Sequence, residues 1–397
     1  DAVAAVALTE SVLALVYSLA IGLSMAGSAM VARRIGEKNR EEASRTAVQA
    51  ILIALGMTTV ISLAGSAFSK DILRWMGGSG EVVETGSVYT RIIFGSSIVI
   101  MMLFLVNGIF RGAGNASVAM WSLWIANGFN ILLCPVLIHF YGLRGAAIAT
   151  SIGRGTGVCF QLYHLLNGNS AIRLVRRYFK PDWQIIRNML RVAWTGTVQF
   201  LIGSASWIVM ARIIAHFGSE AIAGYQVAIR ILIFFLLPAW GMSNAAATLV
   251  GQNLGAGQPS RAEESVWTAA RYNAAFMIFV SLLFLFASGP IVQFMNPEQG
   301  VERIAVETLR IVSMGYIFYG VGMVLINAFN GAGDTRTPTI INLFCFWAFQ
   351  IPVAYSISIP LGLGPQGVFY AIVTAETAIT ITAFILFRKG KWKKVKI

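Results

Sequence analysis

Four charged side chains lie inside long apolar runs: Glu10, Arg154, Arg230 and Glu376. A charge left alone in hydrocarbon costs about 3 kcal/mol even on permissive insertion scales, so such residues are expected to pair, to meet water or to work. Each stands nine or ten residues beyond the outer start of its run, at Asp1, Gly145, Glu220 and Gly367. At about 1.5 Å per residue this places all four at one level, about 13–15 Å deep. Comparing the chain with itself makes Arg154 the counterpart of Glu376 and puts Arg230 one residue past the counterpart of Glu10. Each half thus holds one acid and one base. The spacing predicts two intramembrane ion pairs, Glu10 with Arg154 and Arg230 with Glu376. Two readings of these pairs stand side by side: they fix helix packing, or they couple proton movement or recognise substrate charge.

Other chemistry is thinly represented. Cys134, Cys159 and Cys345 are widely spaced inside apolar runs, and His139, His164 and His216 sit near run ends, so neither a disulfide framework nor a metal site is expected. The turns at Gly112-Ala-Gly114 and Gly331-Ala-Gly333 lack the lysine and hydroxyl residue of a phosphate loop, and they follow long apolar runs. They read as tight helix connections, and ATP is not expected as the direct energy source. No nucleophile–base–acid cluster or cofactor motif occurs, so the chain does not read as an enzyme and needs no cofactor beyond a coupling ion, H+ or Na+. Pro135, Pro238 and Pro352 lie inside runs, Pro135 and Pro352 in corresponding ones, where a missing amide permits a hinge or simply a packed kink. Gly153 and Gly157 bracket Arg154 as a GxxxG step that admits a close neighbouring helix.

The elements that must position these residues are membrane helices. Of 397 residues, 57% are hydrophobic and 12% charged, with a mean hydropathy of +0.71, which excludes an ordinary soluble domain. Eleven apolar runs are long enough to cross about 30 Å of hydrocarbon: Val3–Val31, Ala43–Phe68, Val88–Ile109, Ala119–Ile138, Gly145–Leu166, Val192–Phe217, Ala223–Val250, Ser265–Met295, Leu309–Phe329, Pro338–Ile359 and Gly367–Phe387. The net charge of +13 is explained by location, without a nucleic-acid partner. With Arg33 to Arg45 placed inside, most of the 30 Lys and Arg residues fall on that side, against Lys70, Arg74, Arg91, Arg144, Arg303 and Arg310 on the other.

The fold follows from an internal repeat at a separation of 219. Asp1-Ala-Val-Ala-Ala5 matches Glu220-Ala-Ile-Ala-Gly224, Gly22 matches Gly241, Gly36 matches Gly255, and Phe110-Arg-Gly-Ala-Gly-Asn115 matches Phe329-Asn-Gly-Ala-Gly-Asp334. Three further residues then intervene, and Gly145 matches Gly367 at a separation of 222. Val192–Phe217 precedes Glu220, whereas no run precedes Asp1, so the first helix of the first half is expected to be missing. The expectation is an all-α membrane protein of two six-helix lobes, twelve spans in the parent and eleven here. A pseudo-two-fold along the membrane normal would relate the lobes across a V-shaped cleft. Residues 1–173 form the first lobe and 192–388 the second. The basic stretch 174–191 connects them in the cytoplasm, where nothing requires it to be rigid. Residues 389–397 make a polybasic cytoplasmic tail suited to topology and lipid headgroups.

Gly22-Leu-Ser-Met-Ala-Gly-Ser-Ala-Met-Val-Ala-Arg-Arg-Ile-Gly36, its partner Gly241 to Gly255, Asn130-Ile-Leu-Leu-Cys-Pro135 and Gly331-Ala-Gly-Asp-Thr-Arg-Thr-Pro338 resemble the multidrug and toxic compound extrusion (MATE) family at matching positions. The resemblance spans the chain. It implies a multi-pass transporter of the cell inner (plasma) membrane, monomeric and surrounded by lipid, which exports amphipathic, often cationic small molecules in exchange for H+ or Na+. One branch of the family couples protons through an asparagine and an aspartate; Asn130 carries over as a cavity residue, and Cys134 stands where the aspartate would be. A second branch places acids in its seventh and tenth helices, and no Asp or Glu occurs from Val192 to Ala215 or from Leu309 to Phe329. Glu10 and Glu376 are then the deep carboxylates that remain. A flippase for lipid-linked oligosaccharides, of the same wider superfamily, is the nearest alternative, since Arg154 and Arg230 would suit a diphosphate.

Overall fold

A computed structural model describes residues 2–167, 171–295 and 298–397. Asp1, which opens the repeat match, lies outside the described residues, as do residues 168–170 at the end of the first expected lobe and 296–297. The chain divides into two compact units, residues up to Thr197 together with Ile397, and Val198–Lys396. The division falls inside a helix, a few residues beyond the start of the second lobe expected at 192.

The first unit contains α1 (Ala2–Gly36), α2 (Arg40–Ala67), α3 (Ser69–Trp75), α4 (Gly80–Gly95), α5 (Ser97–Gly112), α6 (Ala116–Tyr141), α7 (Leu143–Leu166) and the start of α8 (Trp183–Ala215). The second contains the rest of α8, then α9 (Ser219–Gly255), α10 (Pro259–Gln293), α11 (Gln299–Ser313), α12 (Tyr316–Ala332), α13 (Arg336–Asn342), α14 (Ile351–Ser358) and α15 (Pro365–Arg388). The expected runs fall on these helices apart from a few end residues, and Pro338–Ile359 also takes in residues 343–350 between α13 and α14. Eight helical segments among the described residues are long and apolar enough to span, and two bent pairs raise the number to ten. The run Gly145–Leu166 is helical as α7 but is not among them, because Arg144, Arg154, Gln161 and His164 dilute its hydropathy.

Two expected spans are not single helices. Val88–Ile109 breaks at Ser96, with 40° between α4 and α5, and Leu309–Phe329 breaks at Met314 and Gly315, with 60° between α11 and α12. Ser96 and Gly315 are 219 residues apart, so the repeat copies its breaks. Backbone groups freed at such a break must find partners inside the bundle. In the second unit, Ser281 donates to the Ser313 carbonyl that ends α11, while Thr380 Oγ1 to Phe318 at 2.6 Å and Asn273 Nδ2 to Gly320 at 2.9 Å tie carbonyls inside α12 to α15 and α10. In the first, side chains brace the break: the Ser96 and Ser151 hydroxyls share a hydrogen bond of 2.7 Å, and those of Ser62 and Ser97 one of 2.9 Å.

The Gly-Ala-Gly turns close α5 and α12 as the sequence predicts. Gly114 and Gly333 take left-handed φ values of +84° and +85°. The next amides, of Asn115 and Asp334, donate to Phe110 and Phe329 at 2.8 and 2.9 Å, the bond that terminates a helix by the Schellman pattern. The carboxamide of Asn115 and the carboxylate of Asp334 then accept amides of Val118 and Thr337, starting α6 and α13.

Small residues set the helix spacing. A Cβ on Gly112 would sit 2.4 Å from the Ser28 carbonyl, and one on Gly331 would sit 2.1 Å from that of Ala247, again a pair of contacts 219 residues apart. On α7, a Cβ on Gly153 would lie 2.6 Å from the Ala126 carbonyl and one on Gly157 2.7 Å from that of Ser122. The GxxxG step is therefore the seat of α6.

Pro135 and Pro238 lie within uninterrupted helices α6 and α9. Pro352 differs: Leu343–Gln350, just before it, is a π-helix, and the Ile351 amide donates five residues back to Phe346. Proline offers no amide and crowds the carbonyl four residues earlier, and wider turns relieve that crowding.

The stretch 174–191 is more firmly held than its composition suggests. It forms a 3-10 turn at Arg176–Phe179 and the first turns of α8. Gln49, fully buried on α2, donates to the carbonyls of Tyr178 and Lys180 at 2.8 and 3.0 Å and accepts from the Asp182 amide at 3.0 Å. Arg45 adds an ion pair to Asp182 at 2.6 Å. The polybasic tail is anchored too, because Trp392 is fully buried and stacks on Phe387 with ring centroids 4.7 Å apart. Lys393 pairs with Glu263.

Candidate functional site

The four intramembrane charges do not form the two expected ion pairs. Among the described residues, none of the ion pairs includes Glu10, Arg154, Arg230 or Glu376. Arg154, half-buried on α7, instead donates from Nη2 to the Tyr17 hydroxyl at 2.7 Å, with its guanidinium carbon 5.6 Å from the ring centroid. Glu10 is exposed, seven residues before Tyr17 on α1. Depth along a helix does not fix direction around it. Adjacent positions diverge by about 100°, so Ile229 lines a cavity of the second unit while its neighbour Arg230 is exposed and does not.

In the first unit, the structure nevertheless gathers several of the expected residues. Tyr89 lies within electrostatic reach of Glu10, Arg154, Tyr17 and Cys134. Asn130 donates from Nδ2 to Thr150 Oγ1 at 3.3 Å, and its Cβ is 3.0 Å from where a Cβ on Gly153 would sit. Thr9 and Thr90 share a buried hydrogen bond of 2.8 Å that ties α1 to α4. The cluster is polar and rich in hydroxyls, with Thr9, Tyr89 and Thr90 buried and Tyr17, Asn130, Thr150 and Arg154 half-buried; it is suited to hydrogen bonding and to passing a proton, with Arg154 as its fixed positive charge. Cys134 is a free, half-buried thiol on α6, four residues after Asn130.

In the second unit, Glu376 on α15 faces a cavity of about 380 Å³ bounded by α8, α9, α11, α12 and α15. Trp207, Trp240, Tyr316 and Tyr319 contribute aromatic walls, Leu236 and Met323 aliphatic ones. Glu376 is the one charged residue of the lining, and Gly315, at the break between α11 and α12, belongs to it. A Cβ on Gly315 would come within 2.9 Å of Val373, so α12 can start here only because no side chain intervenes. A carboxylate in an apolar chamber beside a broken helix can bind a cation or exchange a proton. Among the described residues, no three His, Cys, Asp or Glu side chains come together to hold a metal ion.

Comparison with known proteins fits this architecture. The family model MatE matches residues 1–136 and 197–356, one stretch in each half of the repeat. The chain belongs to the MatE family. It is similar to the probable multidrug resistance protein YoeA of Bacillus subtilis (strain 168), 26% identical over 407 residues that cover 100% of this chain and 88% of that one. It is also similar to the probable multidrug resistance protein NorM of Thermotoga maritima, 24% identical over 400 residues covering 99% and 86%. Among solved structures, the outward-facing conformation of a multidrug resistance MATE family transporter of the MOP superfamily superposes with a TM-score of 0.92 at 26% identity, covering 99% of this chain and 89% of that one. A MatE protein is a membrane transporter and not an enzyme, which agrees with the helical, apolar build of both units.

Within this MatE chain, Tyr17, Tyr89, Thr150, Gly315, Tyr316 and Tyr319 are the site residues that sequence reasoning misses. Signals for some were present. Tyr17 follows Glu10 by two helical turns on one face, and Gly315 is the repeat counterpart of Ser96. The tyrosines resemble any aromatic residue of a membrane helix until the packing shows what they face.

Proposed function

We propose that this MatE chain is a secondary active multidrug exporter, antiporting amphipathic, often cationic small molecules against H+ or Na+ by alternating access. The observation that carries this is Glu376, a carboxylate in an aromatic chamber beside the broken α11–α12 span. Secondary transporters place broken helices and ionisable groups together near the bilayer midplane, because the break frees backbone groups for an ion and the acid changes charge during the cycle. The multidrug relatives support the substrate class. The reading places the protein in the cell inner membrane as a monomer, with 174–191 and the tail in the cytoplasm by the distribution of Lys and Arg. No observation favours the lipid-linked oligosaccharide flippase: Arg154 is engaged by Tyr17, and the chamber of the second unit carries an acid.

The test is export of a cationic dye from vesicles containing the full chain, under an imposed pH gradient and separately under a sodium gradient. One gradient is expected to drive export and the other not. Absence of movement with both gradients, across several cationic dyes, would overturn the antiporter reading.

A further inference from the structure

Gln350 is a polar side chain deep in an apolar span, 4% exposed at the end of the π-helix Leu343–Gln350. Its place on the buried side depends on that helix. Cys345 and Gln350 are both buried, yet positions five apart point about 140° away from each other in an α-helix. Hydrogen bonds to the fifth residue back, such as that from the Ile351 amide to the Phe346 carbonyl, bring such positions onto one side. Pro352, which cannot continue the α-helical ladder there, holds the wider turns in place. The side so formed meets α8. Ser206, 2% exposed, donates to Gln350 Oε1 at 2.9 Å, Trp347 Nε1 donates to the Ile202 carbonyl at 3.2 Å, and a Cβ on Gly203 would lie 3.9 Å from the Phe346 ring.

We propose that Gln350 is a positioning residue of the exporter, fixing how α8 is rolled and thereby where Phe200 and Trp207 stand in the wall of the Glu376 chamber. Ile202, Gly203 and Ser206 face the π-helix, whereas Phe200 and Trp207, seven residues apart and so on one side of α8, line the chamber. The two sides are about a quarter turn apart, so a roll of α8 about its axis carries both aromatic rings with it. Apolar packing alone tolerates such a roll, because hydrophobic contact is non-directional. A hydrogen bond between two buried groups is directional, and breaking it leaves a buried oxygen without its donor. With apolar surroundings and no water to substitute, the Ser206–Gln350 bond selects one roll. Neither residue lines the chamber, so their effect on it passes through α8. The physiological meaning of this assignment rests on the export reading, and its geometry rests on the π-helix and α8 alone.

The test uses the full chain in lipid vesicles and follows the thiol of Phe200→Cys. Its alkylation by N-ethylmaleimide is read by mass spectrometry of its own peptide, so that Cys134, Cys159 and Cys345 do not interfere. In this background Gln350→Leu and Ser206→Ala are each expected to shift the alkylation rate at least threefold, and the two together no further than either alone. Gln350→Glu, which keeps an acceptor oxygen for Ser206, should return the rate to within twofold of the parent. Without the reporter thiol, Ser206→Ala should slow gradient-driven ethidium export several-fold at an unchanged content of folded protein, and this milder variant decides the matter if Gln350→Leu does not fold. Lowered unfolding temperatures with unchanged alkylation at position 200, shifts that add independently, Gln350→Glu no different from Gln350→Leu, or shifted alkylation with undiminished export would each overturn the proposal. If no gradient drives export by the parent, the export reading falls while alkylation still decides whether Gln350 sets the roll of α8. Export by the parent, with alkylation unmoved by either substitution, removes the positioning role alone.

Discussion

Arg154 and Tyr17 are joined twice, by a hydrogen bond of 2.7 Å from Nη2 to the phenol oxygen and by the guanidinium lying 5.6 Å from the ring centroid. The first contact depends on the hydroxyl and the second on the ring, so substitution can separate them. Tyr17→Phe is expected to destabilise the protein by about 1.5 kcal/mol, the low end for a hydrogen bond to a charged group, since Arg154 is only half-buried. Thermal unfolding in detergent measures this. Adding Arg154→Gln should cost less in the Tyr17→Phe background than in the parent, and strict additivity would show that the two side chains are not coupled.

Close packing at the repeated glycines gives a second expectation. Gly112→Ala and Gly331→Ala place a methyl group 2.4 and 2.1 Å from backbone carbonyls and should each destabilise by about 1–3 kcal/mol. Gly56, in the middle of α2, has nothing within 4 Å of such a methyl. Gly56→Ala should stabilise by about 0.5–1 kcal/mol through helix propensity. Opposite signs in one unfolding assay confirm the packing, and a stabilising Gly331→Ala would contradict it.

Lys38 occupies a left-handed backbone position at φ 59° between α1 and α2. Its repeat counterpart, Gly257, takes φ 70° in the same kind of turn, where the following amide bonds five residues back, Asn39 to Arg34 in one half and Gln258 to Asn253 in the other. Lys38→Gly should therefore raise stability by about 1 kcal/mol, the relief of left-handed strain for a residue with a Cβ. A lowered unfolding temperature would indicate that the lysine side chain contributes more than the strain removes.

The anchored tail supplies a further test. Trp392→Ala should cost about 3–5 kcal/mol, as for a buried aromatic, whereas Lys393→Ala should cost less than about 1 kcal/mol, because its ion pair with Glu263 keeps about a quarter of each side chain exposed. Comparable losses for the two would show that the tail is held by charge and not by packing.

The sequence made the helices legible because membrane spans are defined by length and apolar content, which need no knowledge of neighbours. The repeat located the glycine turns at Gly114 and Gly333 because their requirement is local: a backbone shape that side chains disfavour. The expected Glu10–Arg154 and Arg230–Glu376 pairs are absent because residue count along a helix yields depth but not facing, and facing depends on how each helix is rolled against its neighbours. The breaks at Ser96 and Gly315 are not legible because each sits in an unremarkable apolar run, and the donor that satisfies the Ser313 carbonyl, Ser281, is on another helix. Glu376 stands out by its cost in hydrocarbon alone; its chamber exists only where α8, α9, α11, α12 and α15 assemble around it.

The π-helix at Leu343–Gln350 falls in the interval where the two halves slip from a separation of 219 to one of 222. The helix around it, Arg336–Ser358, holds 23 residues against the 26 of its counterpart α6, while residues 359–364 separate it from α15 where Gly142 alone separates α6 from α7. The added chain therefore lies in the connection, and the wider turns alter which way the side chains after Leu343 face without taking up the insertion. An alignment of the copies that spreads the slip through the helix would misplace both.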